Sequence, residues 1–220
     1  MVKIIEIDAY NSIINNYIAE LRNVEVQGDR MRFRRNLERI GELMAYEISK
    51  TLKYKETDVV TPLGTANMNL PIDNIVIGTV FRAGLPFHQG FLDIFDQAGN
   101  AFLSAYRYYT DRECNNIDVH IEYIATPDLY KKTFILVDPM LATGESLILA
   151  HKAFVTKGVP KKIILASVIA TEEGVARLNE KFPNTNIVLY TAAIDPILND
   201  RKYIVPGLGD AGDLMYGEKL

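Results

Sequence analysis

The chain has 220 residues, of which 48% are hydrophobic and 24% charged, and its formal net charge is −4. This composition is typical of a folded globular protein with a substantial core and excludes a largely disordered chain. The acidic balance excludes a general nucleic-acid-binding surface, and a single cysteine, Cys114, excludes an intrachain disulfide and a cysteine-rich zinc site.

Short apolar runs alternate with helical patterns along the chain, which predicts an α/β fold with a central, mainly parallel sheet flanked by helices. Residues 30–53 form the first predicted helix, with its arginines on the outer face. The later predicted elements are strands over Ile75–Phe81, Ala101–Arg107, Ile117–Ile124, Phe134–Val137, Ile163–Ile169 and Ile187–Tyr190, and helices through Phe95, over Glu145–Thr156 and over Glu172–Phe182. Alternation within Ile117–Ile124 favours an antiparallel flap or hairpin.

The segment Phe134–Leu147, FILVDPMLATGESL, predicts an anion site. A buried strand ends at Asp138, and a helix follows a Thr-Gly turn, so the unpaired N–H groups of the first helical turn point at whatever fills the crevice. Gly144 allows close approach of the backbone, while Thr143 and Ser146 add hydroxyls. Asp138 suits sugar hydroxyls or a hydrated metal. The residues alone leave open an ordinary strand, turn and capped helix.

The better-known phosphate motifs are missing. No Gly-Lys-Ser or Gly-Lys-Thr of a P-loop occurs in the chain, and Gly207-Leu-Gly209 only begins like a dinucleotide fingerprint. The sequence therefore favours neither an ATPase of the P-loop type nor a Rossmann dehydrogenase.

The tail from Asp195 to Gly217 is rich in glycine and proline but also carries several large apolar residues. Such a segment is neither regular helix nor regular strand throughout, and its apolar content is unusual for a solvated linker. We expect an ordered loop. Its backbone N–H and C=O groups suit the edge of a small planar ligand.

Several other features favour unspecialised interpretations. The amino terminus lacks a signal-peptide core, and the longest apolar run, Ile163–Ala170, is too short to cross a bilayer, so we expect a cytoplasmic protein without a membrane partner.

His88, His120 and His151 are scattered without ligand spacing, and no metal-ligating residue is predicted. The arginines between residues 30 and 39 are interpreted first as a solvated helix face; a dimer contact or a site for a nucleotide effector such as GTP is the less favoured alternative.

The string DPMLATGES resembles the phosphoribosyl-diphosphate (PRPP) signature of phosphoribosyltransferases, and its Asp-Pro-Met-Leu-Ala-Thr-Gly form resembles the uracil phosphoribosyltransferase family. The tail YIVPGLGDAGD is similar to the uracil-binding segment of that family. Phe81-Arg82-Ala83-Gly84-Leu85 and Ala105-Tyr106-Arg107 occur in the expected order between the amino terminus and these two motifs. The resemblance covers residues 33–216 and implies a phosphoribosyltransferase-like core with a β-flap or hood.

The resemblance implies that the protein converts uracil and PRPP to UMP and pyrophosphate, with Mg²⁺ bound mainly through PRPP. The catalytic residues implied are Arg107, Asp138 and Asp210. The PRPP-binding residues implied are Arg82, Ala83, Gly84, Arg107, Asp138, Pro139, Met140, Leu141, Ala142, Thr143, Gly144, Glu145, Ser146 and Asp210. The uracil-binding residues implied are Ile204, Gly209, Asp210 and Ala211.

The same resemblance implies a single domain over residues 1–220, with an amino-terminal extension over residues 1–28 and a base-binding hood over residues 195–217, in a homodimer or higher homo-oligomer. Glu145 departs from the family pattern because a second glycine is usual there, and the residues after Arg107 lack the usual Arg-Asp-Pro-Glu. Two alternatives stay open: a non-catalytic PRPP- or nucleotide-sensing protein, and a transferase for another base. The tail motif argues against another base.

Overall fold

The computed structural model describes residues 1–7, 11–109, 117–183 and 186–219, with backbone only for residues 105–109 and 117–120. Helices in the described residues are α1 Ile13–Arg22, α2 Arg30–Ser49, α3 Leu85–Ile94, α4 Glu145–Val155, α5 Glu172–Lys181 and α6 Ala211–Tyr216. Strands there are β1 Lys3–Glu6, β2 Tyr54–Thr61, β3 Gly64–Pro71, β4 Ile75–Val80, β5 Gly99–Tyr109, β6 Ile117–Ala125, β7 Thr133–Val137, β8 Met140–Leu141, β9 Lys162–Thr171, β10 Ile187–Asp195, β11 Ile197–Leu198 and β12 Ile204–Val205.

The central sheet confirms the predicted α/β architecture. Its strand order is β1-β10-β9-β7-β4-β5-β6, with the short β8 beside β9. All of these pairings are parallel except β5 with β6, which is the predicted antiparallel hairpin. β7 is buried along its whole length and β4 nearly so, as expected of strands covered on both faces.

Two apolar cores cover the two faces of the sheet. One packs α1, α2, α3 and α6 against residues such as Ile77 and Val137, and the other packs α4 and α5 against residues such as Leu136 and Leu165. α2 and α3 approach closely because Gly41 lies against Phe87 and Gly90 lies against Glu38, where a Cβ would overlap the backbone. The three layers leave the carboxyl ends of the parallel strands open to a ligand.

Some element bounds differ from the predictions. α2 ends at Ser49 rather than residue 53, and β10 continues past Tyr190 to Asp195 because its polar residues Thr191 and Asp195 are buried. The antiparallel hairpin β2–β3 was not predicted. Every residue of this hairpin is exposed except Ala66, which is half-buried, so its sequence carries no burial pattern.

The two ends of the chain are both built into the fold. β1 pairs in parallel with β10, and α1 buries Ile14, Ile18 and Leu21 in the core, so residues 1–28 include an edge strand and a packed helix. The tail forms the hairpin β11–β12 and the helix α6, in agreement with an ordered segment. No helix in the described parts of the chain is long and apolar enough to cross a membrane.

Candidate active site

A cavity of about 790 Å³ opens at the carboxyl ends of β4 and β7, beside the middle of β5. The predicted site residues that line it are Arg82, Ala83, Asp138, Met140, Ala142, Glu145, Ser146 and Asp210. Residues that were not predicted also line it: Val80, Phe81, Leu103, Ser104, Glu122, Leu149, Gly212 and Lys219. Segments far apart in the sequence therefore meet around one cavity.

The predicted anion turn joins β7 to α4. Gly144 lies at φ +78 and is the N-cap of α4, so it offers no side-chain cap; a long hydrogen bond of 3.5 Å runs from the Glu145 N–H to the Thr143 hydroxyl. The first-turn N–H groups of α4 therefore face the cavity beside Ser146 with the positive end of the helix dipole. Pro139, Leu141, Thr143 and Gly144 shape the turn but do not line the cavity.

The turn is fixed by a contact that sequence reasoning missed. The Thr171 hydroxyl donates to the Ala142 carbonyl at 2.6 Å and accepts from the Gly174 N–H at 2.9 Å. A Cβ at Gly174 would overlap the Ala142 carbonyl oxygen, so α5 begins in direct contact with the turn. The start of α5 was predicted at Glu172, where the structure has it, but nothing in the sequence indicates its contact with Ala142.

Asp138 follows β7 and is half-buried at the cavity wall. Its Oδ1 accepts a hydrogen bond from the Met140 N–H at 3.1 Å. Burial raises the pKa of Asp138 to about 7, and the Met140 hydrogen bond opposes this rise. Near neutral pH the carboxyl therefore exists in both protonation states in the unliganded protein.

This pKa predicts a pH-dependent effect of Asp138→Asn on stability. Because the pKa of Asp138 in the folded state lies above its unfolded value, the proton stabilises the folded wild type at low pH, and this stabilisation is lost as the pH rises through about 7. The asparagine variant has no titrating group at this position, so it does not lose stability in this way as the pH rises. From about pH 5.5 to about pH 8.5 its free energy of unfolding should rise relative to wild type by roughly 1–2 kcal/mol.

Urea denaturation of the unliganded protein at both pH values measures this change. Asp200→Asn, at an exposed position of the tail, is the matched control and should show no comparable pH trend. A constant difference between Asp138→Asn and wild type across the range would contradict the raised pKa.

The turn after β4 carries the predicted residues Arg82, Ala83 and Gly84. The Phe81–Arg82 peptide bond is cis. Gly84 is buried against Thr79, where a Cβ would overlap the Thr79 hydroxyl. Arg82 lines the cavity, and its Nη2 lies 2.8 Å from Asp213 Oδ1 of α6. The ion pair joins this turn to the tail.

The tail brings Asp210 to the same cavity. Asp210 caps α6, because its Oδ1 accepts from the Asp213 N–H at 3.0 Å, and Gly209 precedes it at φ +83. Lys219 Nζ lies 3.6 Å from Asp210 Oδ2. The predicted residues Ile204, Gly209 and Ala211 do not line the cavity, and the side chains of Ile204 and Ala211 are buried.

Other predictions fall at the edge of what the structure describes. The backbone of Arg107 lies in β5 opposite Val119, but its side chain is outside the described part of the chain, as are all atoms of residues 110–116. Within the described residues, no group of three or more His, Cys, Asp or Glu side chains is arranged to hold a metal ion. Carboxylates of Glu122, Asp138 and Asp210 do line the cavity, and their oxygens suit a hydrated Mg²⁺.

The arginine-rich face of α2 is largely engaged within the protein. Arg32 pairs with Glu20 at 3.1 Å and Arg35 with Glu38 at 2.7 Å. Arg34 donates to the Met215 carbonyl at 2.8 Å. The last contact ties α2 to the carboxyl end of α6, next to the cavity.

Comparison with known proteins gives one consistent family. A family model described as uracil phosphoribosyltransferase matches residues 10–218. Uracil phosphoribosyltransferase from Porphyromonas gingivalis is 54% identical over 218 residues, covering 99% of this chain and 100% of that protein. The enzyme of the same name from Pyrococcus furiosus is 38% identical over 210 residues, covering 94% of this chain and 87% of that protein.

Solved structures agree. The AQ2163 protein from Aquifex aeolicus superposes with a TM-score of 0.85 at 31% identity, covering 99% of both chains. Orotate phosphoribosyltransferase from Mycobacterium tuberculosis, in complex with inorganic phosphate, shares the fold with a TM-score of 0.51 at 12% identity, covering 84% of this chain and 90% of that one. The match to the family model and the 54% identity with the Porphyromonas gingivalis enzyme show that the chain belongs to the uracil phosphoribosyltransferase family.

Proposed function

We propose that the protein transfers the phosphoribosyl group of PRPP to N1 of uracil, producing UMP and pyrophosphate. The observation that carries this proposal is the single cavity lined by the anion turn at Ser146, the Arg82 turn and Asp210. In the reaction of PRPP with uracil, we match these three segments to the 5-phosphate, the pyrophosphate and the base, in that order. Family membership supports uracil as the base.

The 5-phosphate is assigned to the turn at residues 142–146 and the ribose hydroxyls to Asp138. The N–H groups at the start of α4, where Gly144 supplies no side-chain cap, suit an anion, and the Asp138 carboxylate accepts hydrogen bonds from hydroxyls. Glu145 lines the cavity at the first position of α4, where a carboxylate is favoured by the helix dipole. Its negative charge also opposes phosphate, so we expect weaker phosphate binding than in relatives with glycine there.

The pyrophosphate is assigned to the Arg82-Ala83-Gly84 turn, with Arg107 adding a fixed positive charge. Arginine suits this role because its planar guanidinium stays protonated and binds phosphate oxygens in a bidentate manner. Uracil is assigned to the tail, with Ile204, Gly209 and Ala211 acting through their main chain. The buried side chains of Ile204 and Ala211 support a main-chain role.

Breaking the bond between ribose C1 and pyrophosphate builds positive charge on the sugar and negative charge on the leaving group. We assign stabilisation of the positive sugar to Asp210, and stabilisation of the departing pyrophosphate to Arg82 and Arg107. Glu122, Asp138 and Asp210, which line the cavity, would help to hold Mg²⁺ brought in with PRPP, and the ion would neutralise further negative charge. No covalent nucleophile is required. A closed site that aligns N1 with C1 also suppresses hydrolysis of PRPP, a task we assign to the hairpin β5–β6 as a flap.

We also propose that the enzyme acts in cytoplasmic pyrimidine salvage as a homodimer or higher homo-oligomer, in one domain with residues 195–217 as the base-binding hood. The exposed hairpin β2–β3, with Val60 and Leu63 largely bare, supports assembly because an isolated two-stranded hairpin is only marginally stable in water. Activation by GTP stays a prediction.

Purified protein mixed with uracil, PRPP and Mg²⁺ is expected to release UMP and pyrophosphate in equal amounts, and EDTA is expected to stop the reaction. Orotate, hypoxanthine and adenine in place of uracil should give no comparable product. A folded preparation that is stabilised by PRPP but makes no UMP would contradict the proposal and favour a sensing protein. Product from one of the other bases would reassign the substrate.

A further inference from the structure

Arg22 and Asp195 form a buried ion pair outside the cavity. Arg22 Nη1 and Nη2 contact Asp195 Oδ2 and Oδ1 at 2.8 and 2.7 Å, a bidentate geometry. The Asp195 side chain is only 6% exposed and that of Arg22 is 23% exposed. Arg22 ends α1 and Asp195 ends β10, so the pair joins the amino-terminal helix to the start of the tail.

The same two side chains hold both polar backbone groups of Gly207. The Gly207 N–H donates to Asp195 Oδ2 at 2.9 Å, and its carbonyl accepts from Arg22 Nη1 at 3.1 Å. Gly207 lies at φ +60 between the cis Val205–Pro206 bond and Gly209, and a Cβ there would overlap the Ile204 carbonyl. Side chains therefore fix both the N–H and the carbonyl of Gly207.

We propose that Arg22 and Asp195 are positioning residues for uracil, which they act on through Gly207. The inference rests on the proposed assignment of uracil to residues 204–211. Neither side chain lines the cavity, so we assign both a supporting role behind the loop rather than contact with uracil. Their effect is to keep the main-chain groups on either side of Gly207 in the geometry that the base needs before it arrives.

The physical argument is preorganisation. A loop that recognises a neutral base through backbone groups loses affinity when those groups must be ordered on binding. An arginine fork is suited to this task because it can bind a carboxylate with two N–H groups and donate to a carbonyl as well. Removing Arg22 takes away the donor to the Gly207 carbonyl and leaves the Asp195 carboxylate buried without its counter-charge, which destabilises the arrangement that holds the Gly207 N–H.

The kinetic test compares Arg22→Met, Arg22→Lys and wild type. Arg22→Met should raise KM for uracil about ten-fold while KM for PRPP changes less than about two-fold, because the loop is displaced and the phosphate turn is not. Arg22→Lys keeps the charge without the fork and should lie between. Arg32→Met removes the exposed pair with Glu20 on the neighbouring helix and is the matched control, expected to behave as wild type. Unchanged or equally raised KM values for the two substrates would overturn the proposal.

A second readout does not depend on turnover. Hydrogen exchange of the unliganded protein should be faster in residues 204–211 of Arg22→Met and Arg22→Lys than in wild type, with the peptide over residues 142–146 unchanged. Equal exchange in the tail of all variants would refute positioning. If wild type makes no UMP while tail exchange rises in the variants, the assignment of uracil fails and the role of the pair in ordering the tail stands.

Discussion

Asp210→Asn is expected to lower kcat for UMP formation by about 100-fold while leaving the fold intact. The substitution removes the negative charge that we place beside the developing positive ribose. It keeps the N-cap of α6, because an asparagine side-chain oxygen can accept from the Asp213 N–H as the aspartate does. Steady-state kinetics with both substrates saturating measures the chemical effect, and urea denaturation checks that stability is retained within about 0.5 kcal/mol.

The control for this prediction is Asp29→Asn. Asp29 caps α2 by accepting from the Arg32 N–H at 3.0 Å and does not line the cavity, so it tests the same chemical change at another helix start. Its kinetics should match wild type. If Asp210→Asn keeps full kcat, the charge of Asp210 has no part in the reaction and the residue is only a helix cap.

Gly144→Val is expected to raise KM for PRPP by about 30-fold, which corresponds to about 2 kcal/mol of binding energy. Gly144 lies at φ +78, where a β-branched residue is strongly disfavoured. Its Cβ would also lie 3.2 Å from the Gly174 carbonyl oxygen at the start of α5. Relaxation of this strain turns the N–H groups at the start of α4 away from the 5-phosphate.

Gly158→Val is the control, since Gly158 also has a positive φ, +120, and lies after α4 outside the cavity lining; its Cβ would overlap the Tyr130 backbone nitrogen, so it is the more strained of the two substitutions. Both variants should lose thermal stability, but the control should keep the KM for PRPP of wild type. Isothermal titration with PRPP separates binding from turnover. An equal loss of PRPP affinity in both variants would indicate general destabilisation rather than damage to a phosphate turn.

The sheet was predictable because its central strands carry their signal locally. β4 and β7 are nearly unbroken apolar runs, since helices cover both of their faces. The hairpin β2–β3 is exposed on both faces, so neither alternation nor a continuous apolar run marks it. β10 was predicted too short because Thr191 and Asp195 are polar, although both are buried and hydrogen-bonded in the fold.

The site likewise contains residues that a local sequence pattern predicts and residues that it does not. The turn from Asp138 to Ser146 was predictable because strand, turn and helix are contiguous in the chain. Thr171 and Arg22 were not, since each reaches the turn or the tail through a contact with a residue distant in sequence, Thr171 with Ala142 and Arg22 with Gly207. Such contacts depend on how the layers of the fold pack, and a local sequence pattern does not indicate them.

The position of β1 at the edge of the sheet has a consequence for biosynthesis. Its backbone partners are residues 188–191 of β10, so the first strand to leave the ribosome must wait for almost the whole chain before it can pair. The pairing of Arg22 with Asp195 waits equally long, although α1 can pack on α2 before then. The parallel strands β4, β7 and β9 can assemble earlier. Folding is therefore completed when the segment synthesised first pairs with segments synthesised near the end, and the tail takes its final conformation in that last step.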